Sequence, residues 1–154
     1  MSTPIIESIA ENIKDTINLI TVANGFNQTL TAIRPKRNDF AKTGWDDLTV
    51  LISQVDAEEL KGGYGCKEWR QNFTLSCIVI DSDTATASID TRLNQVASDI
   101  FKKLMVDTRR GALAIDTNIH GMLAFVDAQT AMSGILIDIS VDYRTSESDP
   151  YTQM

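Results

Sequence analysis

The sequence predicts an α+β fold: a mainly antiparallel β-sheet with two amphipathic helices packed on one of its faces. Three observations carry this. The stretch 134–144 (GILIDISVDYR) places Ile135, Ile137, Ile139, Val141 and Tyr143 at every second position, with mostly polar residues between. That period belongs to a strand with one buried and one wetter face. Two other stretches carry apolar residues at three- and four-residue steps, the spacing of a helix with one apolar stripe. The elements run helix, strands, helix, strands, and a one-sided sheet needs such helices as its cover.

The first helix starts from Thr3 as N-cap, with Pro4 at the first helical position, where a missing N–H is tolerated. Its stripe is Ile6, Ile9, Ile13, Ile17 and Ile20, opposed by Glu7, Glu11, Lys14 and Asp15, and Gly25 is its expected stop. Asn27–Arg34 reads as a short strand closed by Pro35. A polar connection with a basic knot at Lys36 and Arg37 follows, suited to a solvated loop or to an acidic partner surface. Leu48–Val55 reads as a second, central strand.

Residues 56–67 (DAEELKGGYGCK) break the pattern. Gly62, Gly63 and Gly65 crowd around Tyr64, but no Gly-Lys-Ser/Thr opens a helix, so phosphate cradling is not expected. A hairpin tip that orders against a neighbouring subunit is. Residues 68–81 form a long strand with Trp69, Phe73, Leu75, Cys77 and Val79 on its apolar face. Trp69 reads either as an interface anchor beside Arg70 or as a residue on the core rim. The linker 81–88 leads into the second helix, whose stripe is Ile89, Leu93, Val96, Ala97, Ile100, Phe101, Leu104 and Met105. Burial of its large members contributes on the order of 2 kcal/mol each before entropy, so Phe101→Asp is expected to unfold the chain. Asp99 falls off the stripe. The turn 107–111 puts Arg109 and Arg110 near the helix's negative end. Leu113–Asp116 and Gly121–Ala128 read as short strands around a turn at 118–121, and 131–134 as a turn into the last strand.

The chain has 154 residues, 43% hydrophobic and 23% charged, which suits a single domain spanning 1–154 with a polar tail at 145–154. With 14 basic and 21 acidic residues the formal charge is −7, which argues against a nucleic-acid binder built on phosphate neutralisation and permits a surface that DNA slides past. The opening residues lack a basic leader, and no run approaches the roughly 18 apolar residues of a membrane helix. The expectation is therefore a cytosolic setting, no membrane, and free thiols at Cys66 and Cys77, with Cys77 a small core residue.

Chemistry is hard to find. A zinc site needs about four ligands at short spacing, and one His and two separated Cys do not supply them. His120 reads as a turn residue, and no nucleophile elbow accompanies a Ser or Cys. The pairs Asp81/Asp83 and Asp138/Asp142 read as solvated charge. Asn27-Gln28-Thr29 and Asn72-Phe73-Thr74 match a glycosylation pattern by chance. No enzyme, cofactor or metal is expected.

Three segments nevertheless carry a resemblance. They are the opening helix PIIESIAENIKDTINLI with Gly25-Phe26 and Ile33-Arg34-Pro35; the helix through Ile89, Leu93, Ala97, Asp99, Ile100 and Leu104 with the 107–111 turn; and the ending Val141-Asp142-Tyr143-Arg144 with Asp149-Pro150-Tyr151. Together they resemble the tail terminator, or tail-completion, proteins of long-tailed bacteriophages, the group of the lambda minor tail protein U. The loop 62–65 and the linker 81–88 match no motif of that group. The resemblance implies a virion structural protein assembled in the host cytoplasm: a homo-oligomer, a hexameric ring that caps the tail tube protein, stops its polymerisation and meets the head-completion or connector protein. DNA would pass through the lumen without specific binding. The expected subunit or partner contacts are Trp69, Arg70, Tyr143, Arg144, Pro150, Tyr151, Gly62, Gly63, Tyr64, Lys36 and Arg37, with segments 56–67 and 145–154 ordering there. Arg144 is carried over from the matched ending, whereas Trp69 and Arg70 are inferred from the strand itself. The rival readings are another neck or connector component, a small-ligand or regulatory binding domain, and a hydrolase with an unrecognised site.

Overall fold

A computed structural model describes residues 2–36, 45–80, 88–127 and 132–154. The elements are α1 (Ile5–Asn18), β1 (Thr31–Ile33), β2 (Thr49–Leu60), β3 (Cys66–Ile80), α2 (Ile89–Leu104), β4 (Asp116–Asp127) and β5 (Met132–Ser146). One five-stranded sheet has the order β1-β2-β3-β5-β4, with β1 parallel to β2 and every other pair antiparallel. This is the expected α+β architecture, with β3 rather than β2 at the centre.

The alternation read in the last strand sorts the sheet's two faces. Ile135, Ile137, Ile139, Val141 and Tyr143 are buried with Phe73, Leu75, Cys77, Val79, Val50 and Ile52 in one core. The helices close that core with Ile9, Ile13, Ile17, Val96, Ile100 and Leu104, all fully buried. Gly134 is required where β5 crosses β3. A Cβ there would lie 2.2 Å from the Cys77 carbonyl oxygen and 2.5 Å from the Phe125 ring, which covers the gap.

Several boundaries differ from the sequence expectation, each for a local reason. Pro4, not Thr3, is the N-cap of α1, with the Glu7 and Ser8 N–H groups donating to its carbonyl. α1 ends at Asn18 because Asn24 Nδ2 donates to the Leu19 carbonyl at 2.8 Å, so the chain turns early. Gly25 (φ 89°) instead closes a 3₁₀ turn over Val22–Asn24. β1 is shorter than Asn27–Arg34, because Asn27 and Gln28 are held by α2. Asp99 accepts from the Asn27 N–H at 3.0 Å, the Gln28 N–H at 3.1 Å and Asn27 Nδ2 at 3.2 Å. Asp99 is thus a buried strut rather than a solvated charge, and Phe101 is half exposed rather than part of the buried stripe. A charge at position 101 therefore has no reason to unfold the chain.

The break at 56–67 is mostly strand: β2 and β3 run on to Leu60 and back from Cys66, leaving only 61–65 as the tip. Leu113–Asp116 is not a separate strand, and 118–121 is not a turn. β4 is one strand with a bulge at His120, where the register to β5 shifts between Ile119 and Gly121. β5 already includes Met132–Gly134, and Ser88 caps α2 by accepting from the Thr91 N–H at 3.2 Å. Arg37, Asp81 and Asp83 lie outside the described residues. Arg110 is fully buried, and its guanidinium donates to the Leu104 and Asp107 carbonyls at the end of α2. Burial pulls its pKa below the usual arginine range.

The ending is not a loose polar tail. β5 continues to Ser146, Asp149 accepts from the Tyr151 N–H and the Thr152 hydroxyl, and Gln153 bridges back to Thr145. The Pro150 carbonyl accepts from the Ile5 N–H at 3.2 Å, fastening the ending to the start of α1.

Candidate interaction surface

Because alternate residues of β3 and β5 point to opposite faces, the face away from the helices carries Arg70, Thr74, Asp138, Ser140, Asp142 and Arg144. These residues pair along the sheet surface. Arg70 grips Asp142 through Nε–Oδ1 at 2.9 Å and Nη2–Oδ2 at 3.1 Å, with Glu58 3.7 Å from Nη1. The Asp142 carboxylate holds the Arg70 pKa above its ordinary value. Arg144 Nε meets Glu68 at 3.1 Å, and the Thr74 hydroxyl donates to Asp138 at 3.0 Å. Asp138 is solvated as expected, whereas Asp142 is held in an ion pair.

A groove of about 340 Å³ crosses this face, lined by Val55 and Ile139 as well as Asp56, Asn72, His120 and Asp138. Within it His120 Nε2 lies 2.6 Å from Ser140 Oγ. The pair has the separation of a nucleophile and its base, but Ser140 has no exposed surface to offer a substrate. Among the described residues, no group of three or more His, Cys, Asp or Glu could hold a metal ion, and no helix is long and apolar enough to cross a membrane. Both cysteines are free, and burial pushes the Cys77 thiol up to about 12.

The other sequence candidates sort into two places. Trp69 and Tyr143 face the helix side: Tyr143 is buried, and Trp69 is half-buried, its indole N–H donating to Thr145 Oγ1 at 3.3 Å. Trp69 is therefore a rim residue of the core. With Ile6 and Pro150 these rings line a pocket of about 360 Å³, whose edge carries Glu147 and Asp149. Hydrogen bonds from Thr152 and Tyr151 hold the Asp149 carboxyl below its ordinary value. The second place is the hairpin tip. Gly62 has no room for a side chain, since a Cβ would sit 2.5 Å from the Cys66 carbonyl oxygen, and Gly65 is left-handed at φ 77°. Gly63 has ordinary room. The turn leaves Tyr64 wholly exposed, at 108%. Tyr151 is half exposed, and Lys36 is exposed beside Arg34, whose guanidinium binds Glu7 at 2.5 Å and Glu11 at 2.8 Å.

Sequence reasoning missed the outer edge of β4. Among the described residues no strand pairs with it, and on the side of β2 away from β3 none pairs beyond Leu51. Met122 and Leu123 are exposed on β4, and Met122 and Phe101 border a groove of about 460 Å³ with Ala97 and Ser98. The available signal was the run Gly121–Val126, six residues of uncharged strand-forming sequence without a charge or proline to blunt an edge. No protein-family model and no curated protein sequence matches this chain.

Proposed function

We propose that this protein is a structural subunit that assembles with copies of itself into a ring, the tail terminator of a long-tailed bacteriophage. One observation carries the reading. The helices seal one face of the sheet, while the part of the other face that carries Arg70, Thr74, Asp138 and Arg144, two strand edges and a glycine-built tip bearing Tyr64 are left for contacts. A head-to-tail ring needs two different patches on each subunit, and the tip and the Trp69 pocket are two such patches. The resemblance in the opening helix, the second helix and the Tyr143-Arg144 ending supports the same reading. The ring caps the tube, stops its growth and offers its other side to the head connector. The net charge of −7 suits a lumen that DNA traverses without sticking.

The test is tube growth. Added to polymerising tail tube protein, the chain should shorten the tubes in a concentration-dependent way and appear as a ring at one end in electron micrographs. Tubes of unchanged length with bare ends would refute the assignment.

A further inference from the structure

We propose that the hairpin tip of one copy, led by Tyr64, seats in the Trp69–Pro150 pocket of the neighbouring copy. This rests on the ring reading and names the contact that would build it. The tip is shaped for presentation: Gly62 and Gly65 force the turn, and Tyr64 points into solvent with no part of its surface covered. A fully exposed tyrosine at a fixed turn offers a large apolar ring and a hydroxyl at small entropic cost, the profile of an interface anchor.

The receiving pocket matches it. Its volume of about 360 Å³ admits a phenol ring, and Ile6, Trp69, Tyr143 and Pro150 supply apolar walls. Glu147 and Asp149 stand at the edge, where carboxylates can accept from the entering hydroxyl. Charge agrees as well. Lys61 is exposed on the tip three residues before Tyr64, and the pocket's two carboxylates outnumber its one cation, Lys67, whose Nζ lies 5.9 Å from the Trp69 ring centroid. The tyrosine does not fill the pocket of its own chain. The Glu147 N–H donates to the Gly65 carbonyl at 3.2 Å, which fixes the tip beside its own pocket's edge while Tyr64 remains exposed. Because tip and pocket are different patches, a pair still has one of each free, the pocket of one copy and the tip of the other, so the contact propagates until rotation closes it.

Two measurements test this together. The first is the mass of the wild type, Tyr64→Ser and Tyr64→Phe by light scattering over a concentration series, with thermal melts as the folding control. Tyr64→Ser should melt like wild type and self-associate at least about tenfold more weakly, with Tyr64→Phe between. The second mixes two variants that keep Tyr64, Gly63→Cys and Ser148→Cys, each also carrying Cys66→Ser. A disulfide should form between copies only on mixing. Rings that persist unchanged in Tyr64→Ser, with no mixed disulfide, overturn the tip contact and leave the ring reading standing. A mixed disulfide in a closed dimer upholds the contact and removes the ring. A wild type that stays monomeric, alone and with tubes, removes both.

Discussion

The two faces of the sheet are made by the same strands and do opposite work. Along β3, Phe73, Leu75, Cys77 and Val79 vanish under the helices, while Arg70, Asn72 and Thr74, at alternate positions, stay in partial contact with water. The sealed face concentrates the apolar burial that stabilises the fold. The other is ordered by ion pairs and hydrogen bonds that contribute little to stability but fix the position of each group. A chain arranged in this way can change one face and keep its fold.

The contrast is sharpest in reactivity. With the Cys77 thiol moved from 9.0 to about 12, its thiolate fraction below pH 9 falls about a thousandfold. In native protein an alkylating reagent should label the half-buried Cys66 and leave Cys77 intact until denaturant is added. Equal labelling rates would mean that the sealed face opens freely.

Next in size is the loss of core packing. Phe73→Ala should cost about 3–5 kcal/mol by denaturant unfolding, whereas Thr74→Ala, one residue away on the open face, should cost under about 1 kcal/mol. Comparable costs would erase the distinction between the faces. Asp99→Ala leaves the Asn27 and Gln28 N–H groups without their acceptor, and should cost about 1–3 kcal/mol. Faster hydrogen exchange at those two amides is the local readout.

Acid provides a subtler probe of how α1 is fastened to the sheet edge. The hydrogen bond from Arg34 lowers the Glu7 pKa below its ordinary 4.5. A depressed carboxyl stabilises the fold above 4.5, and that contribution fades as pH falls through the lowered value. Arg34→Ala should therefore narrow the stability difference from wild type as pH drops from 5 toward 3, in melts at about half-unit steps. The smallest effect belongs to Phe101→Asp, which should shift stability by about 0.5 kcal/mol. Global unfolding of that variant would place Phe101 in the core after all.

Periodicity made the fold legible where it was long and regular. The isoleucines of α1 and β5 could only be one buried stripe and one buried face. It failed where a single residue overrode the pattern. Asp99 looks solvated from its spacing, yet two backbone amides 71 and 72 positions away in the chain make it a strut. His120 looks like a turn residue because a bulge and a turn share the same glycine-bearing sequence. Arg110 and Phe101 exchanged places, the arginine buried under the end of α2 and the phenylalanine left at a groove. The candidate contacts were legible as residue types but not as groups. Only the fold separates Trp69, Tyr143 and Pro150 into a pocket and Gly62, Gly63 and Tyr64 into a tip, because strand parity and the returning C-terminal segment decide which of them meet.

The central claim is that the parts of the sheet left open by the helices exist for self-assembly. The most direct measurement is the particle mass of the native chain, free and bound to purified tail tubes. A hexameric ring in either setting is the predicted result; a monomer in both, with tubes left uncapped, would contradict it.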